Sequence, residues 1–165
     1  PLSMYGQTKR DGEAPVLQHT RGLVLRFSLL VGPTLVGRPK FFEHLETALR
    51  SGSAFTLFND EWRTPLSART AAQAVVHALR TDHRGVMHCG GRDRLTRLEM
   101  GQQFAKVMKL DASHIVVKSR LEMNSAEPRP RDTSLDSSDW RNAFPEIEWV
   151  GYEASLRRMV REREQ

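Results

Sequence analysis

Short runs of apolar, strand-forming residues alternate along the chain with segments whose apolar residues recur every three or four positions. Runs of the first kind predict strands, and segments of the second kind predict helices. The predicted strands cover 23–31, 55–58, 62–66, 85–89 and 114–117, and the predicted helices cover 1–19, 41–49, 71–79, 97–109, 137–144 and 152–163. This alternation indicates an α/β fold that includes parallel sheet.

The chain begins with a predicted helix that leads directly into a predicted strand. Ser3 is the candidate N-cap of this helix, and Pro15 is expected to kink or end it. The run from Leu23 to Val31 is closed by Gly32-Pro33, which predicts a strand buried on both faces. A doubly wound sheet normally opens with a strand, a Gly-rich turn and a helix, and this sequence has no such opening. We therefore expect either a small α/β domain of its own or the C-terminal part of a larger one.

The composition is that of one ordinary domain with a basic excess. The chain has 165 residues, a mass of 18.8 kDa and a net charge of +5 at pH 7. Of its 25 Lys and Arg residues, 20 are arginines, and they are scattered along the whole chain. Because no basic stripe with interleaved aromatic residues appears, the pattern argues against a nucleic-acid partner. The planar guanidinium group of arginine binds phosphate groups well, so the composition is compatible with a small anionic ligand.

Three further features narrow the class of protein. The longest apolar stretch, 22–33, is interrupted by Arg26 and too short to cross a bilayer, so we expect no membrane partner. The single cysteine, Cys89, fits a reducing compartment and is interpreted as a buried small side chain. The six histidines show no metal-ligand spacing, which predicts no metal site. Together these features predict a soluble, cytoplasmic protein.

Two pairs of polar residues are candidates for chemistry. Tyr5 and Lys9 stand four positions apart, so a helix puts them on one face, and a positive charge beside a phenol suits general acid/base catalysis. The same spacing also fits a solvated pair without a function. Asp60 and Glu61 fall in a predicted turn, where we expect both carboxylates to be solvated.

The surroundings of the Tyr5 and Lys9 pair carry a resemblance to a known family. The cluster Tyr5-Gly6-Gln7-Thr8-Lys9, followed by Leu25-Arg26-Phe27-Ser28 in the next strand, resembles the active-site helix and following strand of extended short-chain dehydrogenases/reductases. The pattern is most similar to the dTDP-4-dehydrorhamnose reductase and sugar-nucleotide-binding branch. Further segments similar to that branch are 62–65, 85–100 and 129–136. The resemblance therefore covers nearly the whole chain.

This resemblance implies a particular fold and organisation. The fold would be the C-terminal part of a Rossmann-like, doubly wound sheet with a small substrate-binding region. It would lack the N-terminal Gly-rich half that receives the pyrophosphate of a dinucleotide. A single α/β unit would span 1–165, with the catalytic helix and following core strand in 1–35 and the substrate-binding region, interleaved with remaining Rossmann elements, in 36–165. The chain would then be about half of a larger protein and inactive by itself.

The resemblance also implies roles for individual residues. Tyr5 would exchange a proton with the substrate oxygen, and Lys9 would hold the ribose of a nicotinamide cofactor, NAD or NADP. Ser28 and Leu29 would lie near the nicotinamide. Two arginines match positions where relatives bring this residue near the diphosphate of a nucleotide sugar, Arg63 and Arg129.

The function implied in this way is the NAD(P)-dependent reduction of a nucleotide-linked 4-keto sugar. An epimerase or dehydratase of the same superfamily stays open as an alternative, and so does a non-catalytic regulatory or binding homologue. The expected partner is a nucleotide sugar or a related small anionic molecule, and a homodimer is compatible with the resemblance.

Overall fold

The computed structural model describes residues 1–33, 37, 39–123 and 129–163. Within these ranges the α-helices are α1 (Met4–Gln18), α2 (Phe41–Arg50), α3 (Ala68–Ala78), α4 (Arg97–Met108), α5 (Ser138–Ala143) and α6 (Tyr152–Arg163). The strands are β1 (Leu23–Phe27), β2 (Leu30–Val31), β3 (Phe55–Phe58), β4 (Trp62–Arg63), β5 (Leu66–Ser67), β6 (Gly85–Cys89), β7 (Leu95–Thr96) and β8 (Ile115–Lys118). A 3₁₀ turn covers Arg120–Glu122. The predicted boundary between residues 35 and 36 lies outside the described residues.

The strands associate in pairs, and most of these pairs are parallel. β1 pairs with β6, β2 with β5, and β3 with β8, all in parallel. β4 and β7 form an antiparallel pair. Parallel strands need crossover connections, and helices provide them here. The predicted α/β class with parallel sheet is confirmed.

The prediction of one doubly buried strand from Leu23 to Val31 is wrong. The chain changes partner in the middle of this run. The N–H of Ser28 donates to the carbonyl of Cys89 at the end of β6 (3.1 Å), whereas the carbonyl of Leu29 accepts from the N–H of Leu66 at the start of β5 (2.9 Å). The run therefore divides into β1 and β2. β1 is half-buried rather than buried on both faces, with Arg26 exposed.

Helix α1 begins at the predicted cap and ends close to the predicted end, and Pro15 does not terminate it. The hydroxyl of Ser3 accepts from the N–H of Gly6 (3.1 Å), which confirms the N-cap. Pro15 lies inside the helix, which continues to Gln18. A proline deprives the carbonyl four residues earlier of its donor. Since both Asp11 and Pro15 are exposed, water can donate a hydrogen bond to the carbonyl of Asp11, and the helix tolerates the proline.

Two hydrophobic cores hold the fold together. The first lies among α2, α4, α6 and β3, and its large buried side chains include Phe42, Phe104 and Tyr152. The second lies between the β1–β6 pair and helices α3 and α5, and it contains Trp140 and Cys89. Burial raises the pKa of Cys89 to about 12, and the predicted role of a buried small side chain is confirmed. Among the described helices, none is long and apolar enough to cross a membrane.

Candidate active site

The first group of predicted site residues lies at the beginning of α1. The Nζ atom of Lys9 lies 5.6 Å from the centre of the Tyr5 ring, so the two side chains share one face of the helix. Tyr5 is 69% exposed, and its phenol is accessible to a ligand. This arrangement provides a proton donor beside a fixed positive charge.

A charge pair fixes α1 against β1. The carboxylate of Glu13 accepts two hydrogen bonds from the guanidinium of Arg26, at 2.6 and 2.8 Å. These bonds hold the pKa of Glu13 below its ordinary value. From this pair, Lys9 lies about 6 Å back along the helix, and Ser28 lies about 7 Å forward along the strand. The pair therefore ties the helix that carries Tyr5 and Lys9 to the strand that leads to Ser28.

Ser28 presents a polar atom with no use among the described residues. Its Oγ atom is buried, and no group in the described part of the chain forms a hydrogen bond with it. Buried hydroxyl groups are normally hydrogen-bonded, so an orphan hydroxyl at a strand end indicates a place for a ligand. Ligands of open α/β sheets bind outside the carboxyl ends of the strands, which is where Ser28 lies. The adjacent Leu29 packs against the first core and fixes this strand end.

Arg63 occupies β4 and is largely engaged with the protein. Its guanidinium donates to the carbonyl of Trp62 (2.6 Å), to the carbonyl of Arg131 (3.4 Å) and to the carboxylate of Glu61 (2.6 Å). Trp62 also pairs through its backbone with the segment around Arg131. Arg129 is exposed and stands two residues before Arg131. The structure thus brings Arg63 beside the segment that contains Arg129.

The two groups of predicted residues are separate in their direct contacts. Among the described residues, no hydrogen bond or ion pair joins Tyr5 or Lys9 to Arg63 or Arg129. No cluster of three His, Cys, Asp or Glu side chains that could hold a metal ion occurs in the described part of the chain.

The expectation that Asp60 and Glu61 are solvated is wrong. Asp60 accepts hydrogen bonds from the N–H of Arg120 (2.6 Å) and from the hydroxyl of Ser119 (2.7 Å). Desolvation raises the pKa of Asp60, but these hydrogen bonds and the charge of Arg131 outweigh it and leave the pKa below its ordinary value. Glu61 is buried. Asp60 is held by groups that are distant in sequence, and Glu61 by Arg63 two residues away together with the distant Arg97 and Arg120. Local sequence therefore gives little sign that the two carboxylates are withdrawn from water.

Glu61 reveals an arrangement that the sequence did not predict. Its carboxylate lies among three guanidinium groups: 2.6 Å from Arg63, 3.7 Å from Arg97 and 3.8 Å from Arg120. These arginines come from β4, from the first residue of α4 and from the 3₁₀ turn. We refer to Glu61, Arg63, Arg97 and Arg120 as the arginine cluster.

Comparison with known protein families classifies the chain. The family model described as RmlD substrate binding domain matches residues 1–164. The chain belongs to this family. The resemblance to the dTDP-4-dehydrorhamnose reductase branch, drawn from separate motifs, is therefore confirmed over nearly the whole RmlD-type chain.

Curated relatives of this RmlD-type chain carry two kinds of name. "Methionine adenosyltransferase 2 subunit beta" of Pongo abelii is 30% identical over 149 residues, which cover 84% of this chain and 43% of the relative. A "Probable dTDP-4,6-dihydroxy-2-methyloxan-3-one 4-ketoreductase" of Streptomyces antibioticus is 25% identical over 142 residues, which cover 86% of this chain and 48% of the relative. The chain spans about half the length of the curated relatives that it matches.

Solved structures show the same fold. The dTDP-4-dehydrorhamnose reductase of Bacillus anthracis in complex with NADP superimposes with a TM-score of 0.87 at 19% identity, covering 98% of this chain and 56% of that chain. A hypothetical dTDP-4-dehydrorhamnose reductase from Sulfolobus tokodaii gives a TM-score of 0.71 at 27% identity, covering 86% of this chain and 48% of that chain. These likenesses confirm the Rossmann-like α/β class of the RmlD-type domain.

Proposed function

We propose that this chain forms the proton-donating and substrate-binding part of an NAD(P)-dependent enzyme that reduces a nucleotide-linked 4-keto sugar. The observation that carries the proposal is the geometry at the carboxyl end of β1. Tyr5 and Lys9 share one face of α1, and the Glu13–Arg26 pair ties this helix to the strand that leads to Ser28. The buried hydroxyl of Ser28 has no hydrogen-bond partner among the described residues. The reductase names of a curated relative and of solved structures support the same reaction class.

Each residue of this group has a role that its chemistry suits. The phenol of Tyr5 donates a proton to the keto oxygen of the substrate as that oxygen gains negative charge. The ammonium of Lys9 binds the ribose of the cofactor, and its charge favours the phenolate left after proton transfer. Ser28 offers its hydroxyl to the cofactor, with Leu29 beside it. When bound, the nicotinamide supplies the hydride; a relative crystallised with NADP supports this choice of cofactor.

Arginine side chains serve the anionic part of the substrate. We assign the diphosphate of the nucleotide sugar to Arg129 and to the donors that Arg63 does not use for Glu61 and for backbone carbonyls. Arg129 is exposed, and its segment is tied to β4 beside Arg63. A guanidinium fork matches two phosphate oxygens at once, which suits both residues to this task.

The test is turnover in a protein that joins this chain to a dinucleotide-binding half. Tyr5→Phe should lower turnover by at least about 100-fold, the usual contribution of a general acid, while cofactor binding is retained. Lys9→Met should weaken cofactor binding, and Lys106→Met on the exposed face of α4 is the matched control. Unchanged turnover in Tyr5→Phe would refute the assignment. Consumption of one NAD(P)H per product identifies a reductase, whereas an epimerase would consume none.

A second candidate function is that of a non-catalytic binding subunit. Relatives of 26–30% identity bear the name of a subunit of methionine adenosyltransferase 2, and this favours the alternative. Under this alternative the unmodified protein reduces no 4-keto sugar and binds an adenosyltransferase catalytic chain. Measuring both activities on the same preparation separates the two candidates. The cytoplasmic location and the homodimer stay predictions.

A further inference from the structure

The arginine cluster concentrates positive charge that is withdrawn from water. Its three arginines bring three positive charges against the single negative charge of Glu61. The side chains are between 12% and 18% exposed, so all four groups are largely desolvated. Burying charge without full compensation is unfavourable, and an excess of two positive charges therefore needs an explanation.

Two described carboxylates near the cluster are shared with arginines outside it, although the charge of Asp132 also acts on Arg63. Asp60 accepts hydrogen bonds from the backbone N–H of Arg120 and from the hydroxyl of Ser119, and it forms an ion pair with the guanidinium of Arg131 (3.3 Å). Asp132 is bound by Arg94 at 2.6 Å. Each of these carboxylates thus already forms an ion pair with an arginine outside the cluster.

The described residues leave donors of the cluster unfilled. A guanidinium carries five N–H donors. Arg63 donates three hydrogen bonds to protein groups. By contrast, Arg97 and Arg120 approach Glu61 at 3.7 and 3.8 Å, which is beyond hydrogen-bond distance. The Nη1 atom of Arg97 is buried and has no hydrogen-bond partner within the described ranges.

Aromatic rings fix the two underused guanidinium groups. The guanidinium of Arg97 lies 3.8 Å from the centre of the Phe41 ring, and that of Arg120 lies 5.2 Å from the centre of the Phe58 ring. Stacking on a ring leaves the N–H edges of a guanidinium available for an anion. Burial lowers the pKa of Arg97 by more than the carboxylate of Glu61 raises it, which reflects the uncompensated environment. The cluster is thus a preformed set of donors with too little to bind.

We infer that Arg97 and Arg120 complete, together with Arg63, a subsite for a phosphoryl or diphosphate group, and that Glu61 is the positioning residue that holds the three arginines together. The tetrahedral oxygens of a phosphoryl group match guanidinium forks and supply the missing negative charge. The identity of this anion as the diphosphate of the substrate nucleotide rests on the proposed function. The anion-binding role of Arg97 and Arg120 rests on the cluster itself.

Calorimetric titration of the full chain with inorganic diphosphate tests the subsite. We expect saturable binding that Arg97→Gln and Arg120→Gln each weaken by at least tenfold. Arg157→Gln is the matched control, because Arg157 forms an exposed ion pair with Glu153 on α6, and it should leave the affinity unchanged. Failure of the unmodified chain to bind diphosphate, or equal losses in the control, would overturn the inference.

A second measurement avoids any dependence on the folding of variants. In the unmodified chain, the Nε–Hε NMR resonances of Arg63, Arg97 and Arg120 should shift on addition of diphosphate, and that of Arg157 should not. Shifts confined to other arginines would overturn the inference. Competition identifies the source of the anion: UDP or dTDP should displace diphosphate, whereas displacement by NADP alone would overturn the assignment to the substrate.

The outcome is separable from that of the proposed function. Diphosphate binding that depends on Arg97, in a protein without reductase turnover, would retain the subsite and refute the proposed reaction. Reductase turnover with a KM for the nucleotide sugar that Arg97→Gln does not change would retain the reaction and refute the subsite.

Discussion

Gly91 occupies a position where even one methyl group has no room. A Cβ atom there would overlap the carbonyl oxygen of Pro65 and lie 2.6 Å from its carbonyl carbon and 3.3 Å from the nitrogen of Leu66. The N–H of Gly91 also donates to the carbonyl of Thr64 (2.8 Å). Because the obstructing atoms belong to the backbone, no change of side-chain rotamer can relieve the overlap. The substitution Gly91→Ala must push two backbone segments apart.

The geometry sets the size of the effect. Ordinary contact of a Cβ atom begins near 3.4 Å, so relieving the overlap with the Pro65 carbonyl oxygen requires Gly91 and Pro65 to separate by considerably more than about 1 Å. That displacement stretches the bond from Gly91 to Thr64 beyond hydrogen-bond distance. Losing this bond costs about 1 kcal/mol, and overpacking typically costs about 1–3 kcal/mol. Gly91→Ala should therefore lower the free energy of unfolding by about 2–4 kcal/mol, a large part of a typical domain's stability.

Urea unfolding followed by circular dichroism measures this difference directly. With a slope of about 2 kcal/mol per molar urea, the midpoint of Gly91→Ala should fall by about 1–2 M. Gly12→Ala is the matched control, because nothing lies within 4 Å of a Cβ atom there and the residue is exposed within α1. Gly12→Ala should raise the free energy of unfolding by up to about 1 kcal/mol, because alanine has a higher helix propensity than glycine. Equal midpoints for Gly91→Ala and the unmodified chain would refute the reasoning.

Two further predictions concern titratable groups. Cys89 is fully buried with its pKa raised to about 12, so iodoacetamide should modify it no faster than the chain unfolds; rapid labelling of the native chain would contradict this. Hydrogen bonds from Arg94 and then Ser134 lower the pKa of Asp132 to about 2, so its stabilisation is complete above the unfolded pKa of about 3.9 and is lost as pH falls towards 2. Since the Asp132 side chain is 44% exposed, Asp132→Asn should lower the free energy of unfolding by less than about 1 kcal/mol. The variant should also lose less stability than the unmodified chain as the pH falls from 4 to 2. Identical acid limbs in denaturation curves would show that this carboxylate contributes nothing.

Local patterns in the sequence were sufficient for the α-helices and for several strands, but not for the partners of the strands. Strand β7 was not predicted, and the predicted strand 62–66 divides into β4 and β5, which pair with different strands. The start of α4 shows what local sequence can determine: the hydroxyl of Thr96 accepts from the N–H of Glu99, and the carboxylate of Glu99 accepts from the N–H of Thr96. The prediction of one strand from Leu23 to Val31 failed because the division of this segment depends on hydrogen bonds with Cys89 and Leu66, which lie far along the chain. Hydrophobic content predicts an extended segment, but it does not predict where that segment stops pairing with one strand and begins pairing with another.

The same limit applies to the candidate site. Tyr5 and Lys9 were predictable because four positions of one helix place them together, and their motif resembles a known family. The grouping of Arg97 and Arg120 around Glu61 was not predictable, since 36 and 59 positions separate these arginines from Glu61. Only the packing of β4, α4 and the 3₁₀ turn brings them into one cluster.

Burial distinguishes the arginines of the cluster from the arginines that form exposed ion pairs. The pairs Arg21–Asp82 and Arg157–Glu153 are exposed, and such pairs contribute little to stability because water and salt screen them. A chain that used arginine for solubility alone would keep every guanidinium in this state. Here three guanidinium groups are withdrawn from water around one carboxylate, against a desolvation penalty of several kcal/mol per ion. A ligand that brings two negative charges would offset that penalty, and this is the physical reason for the anion-binding role inferred for Arg97 and Arg120.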